Sequence, residues 1–245
     1  MARKLLQGVK INGRDIFSEF GAKVQSYPKF SYTVDVEVFQ GVNRSTLQLL
    51  KNHRGAKTMT LAVDFINRSN AQRTDNQSAF DALFIGNSVE IDIGDGYLYS
   101  AVLMSASDAS TANELITTVE YEFRVVRHRA LVKQVLINED NVACDSNVPE
   151  TDCRITVNGK YFDETGNSFI VELNGEQISM QIPGQEDVVL DGINKTITVG
   201  DKNAMSTVTW TDFPYLKPGI NTIRFSVDGV CPYAQCTVEY YPTYM

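Results

Sequence analysis

Two β-rich domains meeting near Leu131 are what the sequence predicts, and three observations predict them. Long runs that alternate apolar and polar residues fill the first half, and shorter runs separated by turn dipeptides fill the second. Charge and cysteine usage change at the same place: residues 1–130 carry 15 Lys+Arg against 14 Asp+Glu, whereas residues 131–245 carry 7 against 16 and hold all four cysteines. The first domain is expected over 1–130, as a β-sandwich with one helix. The second is expected over 131–245, as a β-sandwich of the jelly-roll kind.

The clearest strand runs from Phe30 to Phe39, where Phe30, Tyr32, Val34, Val36 and Val38 share one face and Ser31, Thr33, Asp35 and Glu37 the other. Met59, Leu61, Val63 and Phe65 alternate in the same way, as do Leu115 to Val125. Residues 89–104 read as a hairpin turning at Gly94-Asp95-Gly96. A helix of about three turns is predicted between these runs, opened by a capping box at Thr74-Asp75-Asn76-Gln77, carrying Ala79, Phe80, Leu83 and Phe84 on one face and stopped by Gly86. A weaker helical pattern covers Thr46 to Asn52.

Beyond Arg129 the predicted strands are Val132–Ile137, Arg154–Val157, Phe169–Leu173, Ile178–Ile182, Lys195–Val199, Thr207–Trp210, Thr222–Val227 and Thr237–Tyr241. Asn158-Gly159, Asn174-Gly175, Asp191-Gly192 and Asp228-Gly229 supply turn residues that tolerate positive φ, and Asn174-Gly175 is the strongest hairpin signal.

Composition narrows the function classes. A chain of 245 residues that is 43% hydrophobic and 21% charged can bury a core, and no apolar run approaches the length that crosses a bilayer. The opening Met-Ala-Arg-Lys-Leu-Leu-Gln-Gly lacks the features of a secretory signal. Four tripeptides, at Asn43, Asn67, Asn76 and Asn194, fit the N-glycosylation pattern and have no bearing without such a signal. The acidic second half argues against affinity for nucleic-acid phosphates or anionic lipid, while the near-neutral first half suits protein contacts.

Catalytic signatures are missing. His53 lies in a basic turn and His128 between two arginines, and no nucleophile elbow, zinc-protease motif or phosphate loop accompanies them. The carboxylate pairs Asp92/Asp95, Asp163/Glu164 and Glu186/Asp187 sit in or beside turns, where acids are common for backbone reasons. No enzyme, cofactor or resident metal is expected. Cys144, Cys153, Cys231 and Cys236 fit three states: free buried thiols, disulfides such as Cys144–Cys153 and Cys231–Cys236, or a four-thiolate zinc site with unsuitable spacing. Trp210, Tyr215, Tyr233 and Tyr244 are candidate glycan contacts, the alternative for Trp210 being a core position alternating with Val208.

Two stretches are more specific. Gly8-Val9-Lys10-Ile11-Asn12-Gly13-Arg14-Asp15-Ile16, followed by Tyr27-Pro28-Lys29-Phe30, resembles the entry of the distal tail protein (Dit) family of long-tailed phages. Leu216-Lys217-Pro218-Gly219-Ile220-Asn221-Thr222-Ile223 and Val238-Glu239-Tyr240-Tyr241-Pro242-Thr243-Tyr244 resemble that family's ending. The four cysteines and the turn at Gln40-Gly41 depart from its pattern. The resemblance implies an N-terminal belt domain that closes into a ring, usually a hexamer, and a galectin-like C-terminal domain. Such a ring joins the tail tube protein to tail-tip proteins, leaves a channel for DNA, and offers its outer domain to receptor-binding proteins or host glycan. It implies a place in the virion, at the tail tip, after assembly in the host bacterial cytoplasm. The alternative function is a carbohydrate-binding adhesin module.

Overall fold

The computed structural model describes residues 6, 8–39, 48–113, 115–137, 139–162, 164, 167–209, 212–227 and 235–245. They form two compact units, Met1–His128 and Arg129–Met245. Cys231, Tyr233, Trp210, Gln40-Gly41, Asp163 and Asp228-Gly229 lie outside the described residues.

The first unit begins with β1 (Lys10–Ile11) and β2 (Arg14–Asp15), joined by Asn12 at φ 51° and Gly13 at φ 75°, the two positive φ values that a tight hairpin turn requires. Asp15 then caps a short helix, α1 (Ile16–Phe20), by accepting from the amides of Phe17 and Ser18, and Gly21 ends it at φ 58°. Next come β3 (Ala22–Val24), β4 (Lys29–Phe39), β5 (Gln48–Ile66), helix α2 (Asn70–Asp81), β6 (Val89–Asp92), β7 (Leu98–Ala106), β8 (Ser110–Asn113) and β9 (Ile116–His128). All strand pairs are antiparallel, in the order β2-β1-β6-β7-β9-β5-β3, with β4 following β3 along the same side of β5 and β8 pairing with β9.

Alternation fixes the buried face: Met59, Leu61, Val63 and Phe65 of β5 lie beside Val119, Tyr121, Phe123 and Val125 of β9, all inaccessible to solvent or nearly so. Phe80 of α2 meets Phe20, Phe65, Phe84 and Tyr121 edge-on at 5.2–5.6 Å, and Tyr121 donates its hydroxyl to Asp81 at 2.6 Å. The sheet curls far enough for Phe30 of β4 to stack on Tyr99 of β7 at 5.4 Å, although β5 and β9 lie between those strands.

Two helix expectations are corrected. The cap of α2 is Ser69, whose Oγ accepts from Gln72, and Thr74 lies inside the helix with its hydroxyl on the Asn70 carbonyl. Arg73 draws in this polar first turn: it is buried and bonds the Asn67 carbonyl and Thr117, an anchor that apolar periodicity does not register. Residues 48–52 of the weaker helical pattern belong to β5, where pairing with β4 overrides local helical preference. Tyr32, expected on a half-buried face, is 50% exposed because the core ends beside Lys57, its partner across the strands.

The second unit is built from β10 (Val132–Ile137), β11 (Glu139–Cys144), β12 (Thr151–Val157), β13 (Asn167–Leu173), β14 (Glu176–Ile182), β15 (Val188–Asp191), β16 (Thr196–Val199), β17 (Lys202–Asn203), β18 (Val208–Thr209), β19 (Tyr215–Leu216), β20 (Gly219–Val227) and β21 (Gln235–Tyr240). One sheet runs β10-β21-β12-β15-β16-β17, with β19 also on β12, and the other runs β11-β20-β13-β14-β18. Inward residues of the first, such as Ile155, Leu190, Ile197 and Val238, form one core with Val142, Phe169, Val171 and Phe225 of the second. This two-sheet sandwich matches the expected class.

Its turns divide into two kinds. Asn174 at φ 53° and Gly175 at φ 88° make the β13–β14 hairpin, with Leu173 opposite Glu176. Gly159 and Gly192, by contrast, do not adopt positive φ. A Cβ on Gly159 would lie 2.6 Å from the Gln185 carbonyl oxygen, and one on Gly192 would collide with the Pro214 carbonyl and lie 2.8 Å from that of Cys153. Crowding, rather than backbone handedness, requires glycine at these positions. Thr207 closes a 3-10 turn instead of opening a strand, and Lys195 occupies the turn before β16 at φ 57°.

Candidate assembly surface

The residues that carry the family resemblance are turn chemistry. The Asn12 amide donates to the Glu90 carbonyl and its Oδ1 accepts from the Glu90 amide, both at 2.8 Å, which docks the first hairpin on β6. Asn221 is fully buried; its Oδ1 accepts from Asn174 Nδ2 and the Lys217 amide at 2.7 Å, and its Nδ2 donates to the Lys217 carbonyl at 2.7 Å. A buried amide satisfied on both sides fixes the loop before β20 and leaves nothing for a ligand.

The candidate residues that are described, Cys144, Cys153, Cys236, Tyr215 and Tyr244, lie on separate strands. Cys144, Cys153 and Cys236 are buried in the sandwich core as free thiols, with Cys144 and Cys153 near enough to interact electrostatically. Burial pushes the Cys236 thiol up to about 12 and that of Cys153 higher still, which leaves them protonated and poor metal ligands at neutral pH. Among the described residues no group of three or more His, Cys, Asp and Glu could hold a metal. Tyr215 is half-buried on β19, and Tyr244 donates its hydroxyl to Asp145 at 2.9 Å beneath the Arg129 guanidinium at 5.0 Å.

Carboxylates in the turns serve the backbone. Asp92 accepts from Gly94, and Asp187 accepts from Gly159 at 2.6 Å. His128 is buried and its Nε2 lies 3.0 Å from Ser100 Oγ on the adjacent strand, a contact made on a pleated surface. Neither residue lines the groove that Leu6, Val9, Ile16 and Phe17 form beside α1.

What the first unit does present is a ribbon and an aromatic cluster at its foot. β5 pairs with β9 only from Lys57 onward, whereas β4 follows it from Gln48 to Thr60. Over residues 48–56 β4 is the one neighbour that the described strands give β5, so among the described residues the two strands run on beyond β9 as a ribbon with no further strand on either side. Where it leaves the core, Tyr27 and Tyr99 both donate to Asp95 Oδ2, at 2.9 and 2.7 Å, and Asp95 Oδ1 accepts from the Tyr97 amide at 3.0 Å. Lys57 Nζ stands 4.9 Å over the Phe30 ring and the Arg127 guanidinium 4.7 Å over Tyr97. Sequence reasoning missed this cluster because Tyr27, Asp95 and Arg127 come from three distant segments. The only local signal is an acid in a hairpin turn followed by Tyr97 and Tyr99.

Comparison with known proteins supplies the family context. Residues 150–244 match the family model described as the C-terminal domain of the siphovirus-type tail component. The crystal structure of the SPP1 Dit protein, a phage protein described as a paradigm of the hub adsorption apparatus in phages that infect Gram-positive bacteria, matches with a TM-score of 0.70 at 11% identity, covering 97% of this chain and 99% of that one. The phage P2 baseplate in its activated conformation, with Ca or with Sr, matches with a TM-score of 0.54 at 7% and 8% identity, over 86% of this chain and 90% of the other. No curated protein matches the chain. Over 97% of its length the chain thus has the fold of the SPP1 Dit protein, and its residues 150–244 match the C-terminal domain of the siphovirus-type tail component.

Proposed function

We propose that this protein is a structural subunit of a phage tail tip, a hub in which residues 1–130 act as the ring-forming belt and residues 131–245 as an outward galectin-like domain. The observation that carries the reading is the match of both units, in order and over nearly the full length of each chain, to a hub protein of the adsorption apparatus. The ring, hexameric by the resemblance, sits between the tail tube protein and the tail-tip proteins in the virion, with DNA passing through its channel. Receptor-binding proteins or host glycan meet the outer domain. Its role is mechanical, without catalysis.

Two physical features support the division. An antiparallel ribbon with open edges is a liability in a monomer and is covered when copies close on one another. Net charge differs between the units as a hub needs: near zero where copies meet, and 7 Lys+Arg against 16 Asp+Glu in the part that stays solvated. Sedimentation velocity and negative-stain microscopy of the full chain test the reading. A ring of fixed stoichiometry is expected; a sharp monomer at tens of micromolar, with no larger species, overturns it.

A further inference from the structure

The cluster at the foot of the ribbon is half uncovered, and its large aromatic rings are the kind of side chain that contributes most when covered at an interface. Tyr27 is 53% and Tyr32 50% exposed, and Phe30, which lies between them in sequence, packs against this end of the core. Tyr27 packs on Phe30 at 6.1 Å and is held by Asp95; Tyr32 pairs across the strands with Lys57, whose ammonium lies over that same ring. The Asp95 carboxylate and the Phe30 ring hold Tyr27 in place before anything docks. Little side-chain entropy is then lost on contact, which is how tyrosine- and arginine-rich patches come to dominate interface energetics.

We infer that Tyr27, Tyr32, Lys57 and Arg127 form the anchor on which the neighbouring copy of this chain seats in the ring. The inference rests on the ring reading above and adds the contact surface to it. Position argues for a second copy as the occupant, because the cluster lies where the ribbon leaves the core and a chain that covers the ribbon's edge also covers the tyrosines. Charge argues the same way: the first unit is nearly neutral, so its copies approach without the repulsion that the acidic second unit would impose. The two cations add charge to the patch, since each stands over an aromatic ring of the cluster, Lys57 over Phe30 and Arg127 over Tyr97.

Hydroxyl-radical footprinting of the full chain, as rings and as dilute monomer, tests this directly. The expected result is that Tyr27 and Tyr32 are modified in the monomer and protected in the ring. Tyr32→Ser, on an exposed side chain, is expected to keep the wild-type melting curve and to raise the concentration at which rings form by about 30-fold, the scale of a hot-spot truncation. Lys57→Glu weakens assembly in the same direction. Rings that form with both tyrosines still fully modified overturn the anchor and leave the ring reading intact. Protection seen only in whole tails, and not in isolated rings, assigns the cluster to another tail protein and also overturns it. A chain that stays monomeric overturns both.

Discussion

Asn174 and Asn221 are joined amide to amide at 2.7 Å across 47 residues of sequence, tying the tip of the β13–β14 hairpin to the loop that feeds β20. The bond explains two sequence signals at once. Asn174 serves its own tight turn at φ 53°, and Asn221 closes the Leu-x-Pro-Gly-x-Asn stretch by satisfying the Lys217 amide and carbonyl. Because Asn221 has no exposed surface, Asn221→Ala strands several buried polar groups together. A loss of about 3 kcal/mol in unfolding free energy is expected from urea titration, against less than about 1 kcal/mol for substituting the exposed Ile220 next to it. Equal effects at the two positions would remove the anchoring role.

Gly192 and Gly175 separate two reasons for glycine. Gly175→Ala meets open space and pays only for a positive φ, at about 1 kcal/mol. Gly192→Ala drives a methyl into the carbonyl oxygens of Cys153, held on β12 by its pairing with β15, and of Pro214, which accepts from the Cys153 amide. It should cost more than about 3 kcal/mol or prevent soluble expression. Matching melting temperatures for the two variants would show that the backbone at Gly192 yields.

Much of the fold was legible because apolar alternation and core burial are the same fact seen twice: Met59 to Phe65 and Val119 to Val125 alternate because they share one buried face. Elements without that signature were missed. β11 has the sequence Glu-Asp-Asn-Val-Ala-Cys and is held by its neighbour β20, while α1 depends on the Asp15 cap for a helix of only five residues. The weaker helix failed for the converse reason, since residues 48–52 have local helical character and a strand for a partner. The candidate surface was least legible. Its aromatic and charged residues come together only through long-range strand pairing, as when Tyr27 and Tyr99 meet on Asp95.

Alkaline stability should depend on two tyrosines. Burial first, then a hydrogen bond to a carboxylate, raises the hydroxyls of Tyr99 and Tyr121 far above their usual range, through Asp95 and Asp81 respectively. The unfolded chain loses these protons near pH 10 and the native state does not, so the native state holds more protons above that pH. Stability is therefore full below about pH 10 and falls by about 1.4 kcal/mol per pH unit for each group as pH rises further. Tyr99→Phe and Tyr121→Phe should each make the decline shallower while lowering stability at neutral pH. Spectrophotometric titration gives the check: were all eleven tyrosines of the native protein to ionise with an ordinary midpoint, the account would fail.

Thiol reactivity separates free thiols from a disulfide at Cys144 and Cys153. Cys144 and Cys153 lie in the sandwich core as free thiols, with Cys236 buried on β21, and a labelling reagent needs both access and thiolate. In the native protein under non-reducing conditions these three should resist a water-soluble maleimide for as long as the second unit stays folded. On denaturation without reductant all three should label at once, since no disulfide has to be broken first. Burial supplies the barrier, so labelling should track unfolding of the sandwich: Gly192→Ala, if it folds, speeds modification of Cys153, whose carbonyl its methyl would strike. A mass increase at Cys144 or Cys153 in the native protein on the timescale of an exposed thiol would contradict their burial. A mass two hydrogens short before labelling, mapped to these two residues, would restore the disulfide.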